Sequence, residues 1–254
     1  MFGIRKRRRD RLKKQLMPIE WVRLIEKNVT IYKFVPDEQK DQLHGYIQVF
    51  LDEKKFEGCG GLVITDEIRL TIATQACIMI LGGISDYYPS LVTILVYPHS
   101  YHAPVRDYEE GGIVTEGYEH RQGEAWDMGS IVLSWKDVKT GAKYTDGKNL
   151  VLHEFAHLLD SELGASENWH TVSNDPTYSE WSRTLSREHR QLVKMTERGE
   201  SVLFDAYGAT SLVEFFAVAT ESFFEQPNDL LRRHPVLYRQ MKIFYAQDPA
   251  SWVR

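Results

Sequence analysis

Asn149-Leu150-Val151-Leu152-His153-Glu154-Phe155-Ala156-His157-Leu158-Leu159-Asp160 is the stretch whose reading decides the rest. Its apolar residues bury one side of a helix expected over residues 148–159 and leave the two histidines on the other. His153 and His157 are four apart, so they lie one above the other on one helix face, where two imidazoles can grip a single ion. Zinc accepts neutral nitrogen ligands at about 2.0–2.1 Å and prefers four ligands in a tetrahedron. Glu154 then stands beside the metal, where its carboxylate can take a proton from a zinc-activated water. By chance such a motif arises in a chain of this composition on the order of a few per cent of the time. The competing reading is a core helix with two hydrogen-bonded histidines.

A catalytic zinc needs a third protein ligand and an open position for water. The extended motif with a third histidine is excluded, because Asp160 replaces its glycine and Leu163 stands where that histidine would be. A glutamate on a later helix is the other common solution. Glu214 and Glu221 are seven apart in an otherwise apolar segment, Glu214-Phe215-Phe216-Ala217-Val218-Ala219-Thr220-Glu221-Ser222-Phe223-Phe224. Acids on such a face are costly unless something positive lies opposite. Glu214 is therefore the expected third ligand, with Glu221 orienting a histidine from behind. Asp205 competes for the first role and Asp160 for the second. Tyr207, in Asp205-Ala206-Tyr207-Gly208, is a candidate donor to the oxyanion of a tetrahedral intermediate.

Around this centre the sequence reads as one compact α+β unit. Helices are expected over residues 36–55, 66–81 (capped near Thr65 and buried nearly all round), 176–198, 214–224 and 235–246. Strands are expected over 91–97 and 129–135, with weaker fragments around Ile113 and Tyr118. Gly141 and Gly147 mark a turn before the motif helix. Residues 99–128, long and glycine-bearing, are a candidate lid. Strand 129–135, if at a sheet edge, could pair with an extended substrate.

The chain has 254 residues and a net charge of −5, with 43% hydrophobic and 26% charged residues, ordinary for a globular protein. The charge is uneven: Arg5, Lys6, Arg7, Arg8, Arg9, Arg11, Lys13 and Lys14 crowd the start. Residues 1–16 are expected to be a solvated, partly disordered basic tail before a domain over 17–254. With no matching basic stripe in the body, neither nucleic acid nor a membrane is expected as a partner. Cys59 and Cys77 read as free thiols in a reducing compartment. No secretory signal or membrane span is read, so a cytoplasmic location is expected.

Beyond the motif, an ordered series carries a more specific resemblance: Thr65-Asp66-Glu67-Ile68-Arg69, Ala73-Thr74-Gln75-Ala76-Cys77, Val96-Tyr97-Pro98 and Val132-Leu133-Ser134-Trp135. It continues with residues 149–160, Asp205-Ala206-Tyr207 and Glu214-Phe215-Phe216-Ala217-Val218. On these residues the chain resembles the MtfA (Mlc titration factor A) family of bacterial zinc-dependent peptidases. The resemblance implies a zincin-like domain with a small mixed sheet and an active-site helix, related in fold to lethal-factor-type peptidases. It implies one zinc per chain on His153, His157 and Glu214, with Glu154 as general base and Tyr207 assisting the transition state. The implied substrate is a peptide, with aminopeptidase-like activity, and the implied partner is a repressor resembling Mlc, which governs sugar uptake. The rival reading is a non-catalytic zinc-containing protein that sequesters a transcription factor.

Overall fold

The computed structural model describes residues 2–99, 101–108, 114–121, 123–126, 129–166, 176–200 and 202–252. The elements are α1 (Phe2–Lys13), α2 (Ile19–Asn28), α3 (Asp37–Glu53), β1 (Lys55–Gly58), α4 (Asp66–Met79), β2 (Thr93–Tyr97), β3 (Tyr101–Tyr108), β4 (Val114–Arg121), β5 (Gly123–Trp126) and β6 (Ser130–Ser134). Then follow α5 (Trp135–Lys143), α6 (Leu150–Leu163), α7 (Pro176–Glu197), α8 (Leu212–Glu225), α9 (Pro227–Arg233) and α10 (Pro235–Tyr245). The architecture is α+β, as the sequence implies.

The sheet has the order β1-β2-β6-β5. β1, β2 and β6 run parallel, with Lys55 opposite Thr93 and Thr93 opposite Ser130. β5 is antiparallel to β6, with Gly123 opposite Leu133 and Trp126 opposite Ser130. β3 and β4 form a separate antiparallel hairpin. The condition set for strand 129–135 is not met: β6 is flanked on both sides, and among the described residues the edges are β1 and β5. Ile131, Val132 and Leu133 are all buried, and a short apolar run does not reveal how many strands flank it. Of the weaker fragments, Tyr118 falls in β4 and Ile113 lies outside the described residues.

The core collects α4 and the inward faces of α3, α6, α8 and α10. Every residue of α4 from Leu70 to Met79 is buried, and Thr65 Oγ1 caps its start by accepting from Ile68 N–H. Phe50, Tyr88 and Phe155 form a tilted aromatic cluster that pins α6 to α3.

Two segments depart from the expectation. Gly141 belongs to α5 and not to a turn; a Cβ on it would sit 2.9 Å from Asn149 Cα, so the glycine lets the start of α6 press against α5. The basic run is also no loose tail. It is helix α1, lying against α3 so closely that a Cβ on Gly45 would meet Lys13 Cα at 3.0 Å. Arg5 Nη2 and Arg9 Nη2 each donate to Glu53 Oε2 at 2.8 Å, Arg8 pairs with Asp52, and the Arg9 guanidinium also sits 4.6 Å from the Tyr87 ring centre. Acids spread over Asp52, Glu53 and Asp86 are distant in sequence, which is why composition alone misses this docking.

Glu53 is 15% exposed, and although its burial opposes ionisation, Arg9 and Arg5 hold its pKa down at about 2. Its contribution to stability is therefore full above the ordinary carboxylate range and is lost as pH falls from there towards 2. Glu53→Gln should cost about 1–2 kcal/mol at pH 7 in urea unfolding. That deficit should shrink as the titration is repeated down to pH 3; a constant deficit would mean the ion pairs do not hold α1.

Candidate metal centre

Three elements deliver the side chains. Asn149 caps α6, its Oδ1 accepting from Leu152 N–H at 3.1 Å, and this fixes the helix that carries His153, Glu154 and His157. Ser211 Oγ caps α8 by accepting from Glu214 N–H at 3.1 Å, which places Glu214 in the first turn facing α6. Asp205 caps the short turn Ala206–Ala209 that carries Tyr207.

His153 Nε2 lies 3.0 Å from Glu214 Oε2 and 3.1 Å from His157 Nε2, and His157 Nε2 lies 3.4 Å from Glu214 Oε2. Ligands on a tetrahedral ion with bonds of about 2.0–2.1 Å are themselves about 3.3–3.4 Å apart. Among the described residues, this is the one group of three His, Cys, Asp or Glu side chains drawn together closely enough to hold an ion.

The hydrogen bonding behind the triangle shows why a cation is needed. Glu221 Oε1 lies 2.8 Å from His153 Nδ1, which donates its proton there. That tautomer leaves Nε2 as a lone pair, facing a carboxylate oxygen and a second ring nitrogen. Without a cation, the neighbouring carboxylates favour a second proton on the ring. Burial resists this, but the bonds to Glu214 and Glu221 outweigh it and hold the pKa of His153 at about 10. Glu214, despite its own burial, is held down at about 2 by the two histidines. A metal ion replaces the extra proton and satisfies all three lone pairs at once. The residues fit a divalent cation.

Glu154 is 5% exposed, and burial raises its pKa against the pull of the two imidazoles. Tyr207 is 56% exposed, its ring centre 6.1 Å from that of His153. Both competing acids are committed elsewhere. Asp205 pairs with Lys148 at 2.7 Å, and Asp160 accepts from Ser166 N–H and Oγ–H, closing the turn after α6.

Sequence reasoning missed the layer behind Glu221. Asn149 N–H donates to Glu221 Oε2, while Asn149 Nδ2 donates to Gln75 Oε1 and Glu225 Oε1, both at 2.7 Å. Glu225 also accepts from Gly147 N–H at 3.0 Å, and burial with Glu221 nearby raises its pKa to about 8. The signal was available: Glu225 is four residues beyond Glu221, so Glu214, Glu221 and Glu225 share one face of an apolar helix.

Paired histidines one turn apart, faced by a glutamate, form a ligand set of the metallopeptidase type. The family model described as glucose-regulated metallo-peptidase M90 matches residues 4–246. The chain belongs to that family, and the MtfA resemblance read from the sequence is to the same group. A Synechocystis sp. relative, the uncharacterized protein slr2042, is 36% identical over 95% of this chain and 89% of its own length. Mlc titration factor A of Serratia proteamaculans is 31% identical over 79% of this chain and 77% of its own. The Yersinia enterocolitica protein of the same name is 29% identical over 88% and 84%.

The carboxylate behind His153 sets ring orientation and basicity, so Glu221→Gln should weaken metal binding about 10- to 100-fold in a chelator competition titration. Asn149→Ala should weaken it in the same direction by loosening the start of α6. Unchanged affinity in both would show that this layer serves packing alone.

Proposed function

We propose that the chain is a zinc metallopeptidase with a zincin-like catalytic domain, hydrolysing peptide bonds in the cytoplasm. The observation that supports this most is the convergence of three lone-pair atoms, His153 Nε2, His157 Nε2 and Glu214 Oε2, beside a fourth group, the buried carboxyl of Glu154, that none of them binds. A structural zinc needs four protein ligands and no base, whereas three ligands with Glu154 alongside leave a position for chemistry.

Zinc in such a site supplies Lewis acidity, polarising a carbonyl oxygen and bringing the pKa of a water to about 7. Glu154 takes the proton of the attacking water on a carboxylate oxygen and hands it to the departing amine. Burial supports that role, because a base with a raised pKa holds the proton long enough to return it. Tyr207 donates its phenol proton towards the oxyanion. Glu221 keeps His153 in the ligating tautomer.

β5 is the last strand on its side of the sheet among the described residues, and it packs beside α6. An extended peptide added to that edge would lie along the metal-binding helix. The β3–β4 hairpin belongs to the stretch read as a lid, and covering a bound peptide is its proposed part. Aminopeptidase-like activity and a repressor resembling Mlc as partner rest on family resemblance and on the names of the Serratia and Yersinia relatives. The alternative, a zinc-containing protein that sequesters a transcription factor without hydrolysis, would need no Glu154.

One zinc per chain should be found by elemental analysis, with peptide hydrolysis abolished by a chelator and restored by zinc. Glu154→Gln should retain zinc and lose about 10²- to 10⁴-fold in kcat. Glu214→Ala should lose the metal. Tyr207→Phe should keep zinc and lose on the order of a hundredfold in kcat. Zinc-loaded wild type that cleaves no member of a peptide panel would decide for the sequestering protein.

A further inference from the structure

The outward side of α1 takes no part in the fold or in the metal centre, and its composition is unlike the rest of the surface. Arg5, Arg8, Arg9 and Lys13 face α3 and the Tyr46–Tyr87 pair, where their charges are met. Arg7, Arg11 and Lys14, spaced i, i+4 and i+7, stand on the opposite side and are exposed, with Asp10 the single acid beside them. Ile4 continues the same stripe and is 77% exposed; Leu16, just past the helix, is 94% exposed. Residues 5–14 carry seven net positive charges, which leaves the rest of the chain at −12.

We propose that this face of α1 docks the protein on an anionic phospholipid surface. Three cations held in one row attract a polyanion, and each is worth a several-fold gain in affinity near an acidic bilayer. Because α1 is fixed to α3 through Glu53 and Asp52, the row is already arranged and binding costs little further ordering. The exposed Ile4 and Leu16 at the two ends of the row favour lipid over nucleic acid, because an aliphatic side chain gains by entering the headgroup boundary and gains nothing from a phosphate backbone. The strongly acidic remainder is repelled by the same surface, so docking is oriented, with α1 towards the lipid. No membrane partner is expected from the sequence because the body lacks a matching basic stripe; docked on α3, α1 presents such a row by itself. The inference is independent of the peptidase reading.

The test is sedimentation of the full chain with vesicles of phosphatidylcholine, with and without about one third phosphatidylserine. Binding is expected to the acidic vesicles only and should fall steeply with added salt. The variant R7E/R11E/K14E should bind at least about tenfold more weakly, with melting temperature unchanged because the ion pairs of Arg5, Arg8 and Arg9 remain. Should the triple charge reversal melt early, R7Q/R11Q/K14Q serves in its place. Ile4→Ser with Leu16→Ser should weaken vesicle binding while leaving any capture of duplex DNA as it was. No binding to acidic vesicles, equal binding by the charge variants, or tighter binding to duplex DNA than to vesicles would each overturn the proposal.

Discussion

Glu221 is buried between two groups that both depend on it. One oxygen takes the Nδ1 proton of His153 and the other takes the backbone N–H of Asn149, the residue that caps the motif helix. Remove that carboxylate and an amide and an imidazole are both stranded in a dry interior, at a cost of about 1–3 kcal/mol each. The same contact sets the rotation of the His153 ring and the entry angle of α6. Geometry at the metal centre and stability of the helix that presents it are therefore one property.

Charge imposes a second condition. Glu154, Glu214 and Glu221 surround two imidazoles with Glu225 behind them, and three of these four acids have pKa values raised by burial. Only Glu214, hydrogen-bonded directly to both rings, is held low. Without a cation the cluster is tolerable only by taking up protons. Concentrating so much buried acid on α6 and α8 makes sense as the counter-charge to an ion, since an apolar pair of helices would pack at lower cost.

The helices around the site were legible because their signals are local. The four-residue histidine spacing and the seven-residue glutamate spacing both repeat at the period of the helix itself. Thr65, as a cap, announced α4 just as locally. What the sequence hid was relational. Gly141 looks like a turn residue until Asn149 is seen pressed against it. β6 looks like a possible edge until β5, four residues of unremarkable composition, is found beside it. α1 looks like a solvated tail because the acids that receive its arginines lie some forty to eighty positions further on. Each miss is a contact between segments remote in sequence, and hydrophobic period carries no information about those.

The close approach at Gly141 has a consequence for how natural variation in this chain should be understood. No atom of that residue touches the histidines, and an alanine there would suit a helix better than glycine does. Yet the added methyl would lie 2.9 Å from Asn149 Cα and would push the start of α6 outward. A scan for destabilising alleles would therefore recover Gly141, and inspection of its own helix would offer no reason for it. The reason lies one helix away, in the space that a missing side chain leaves.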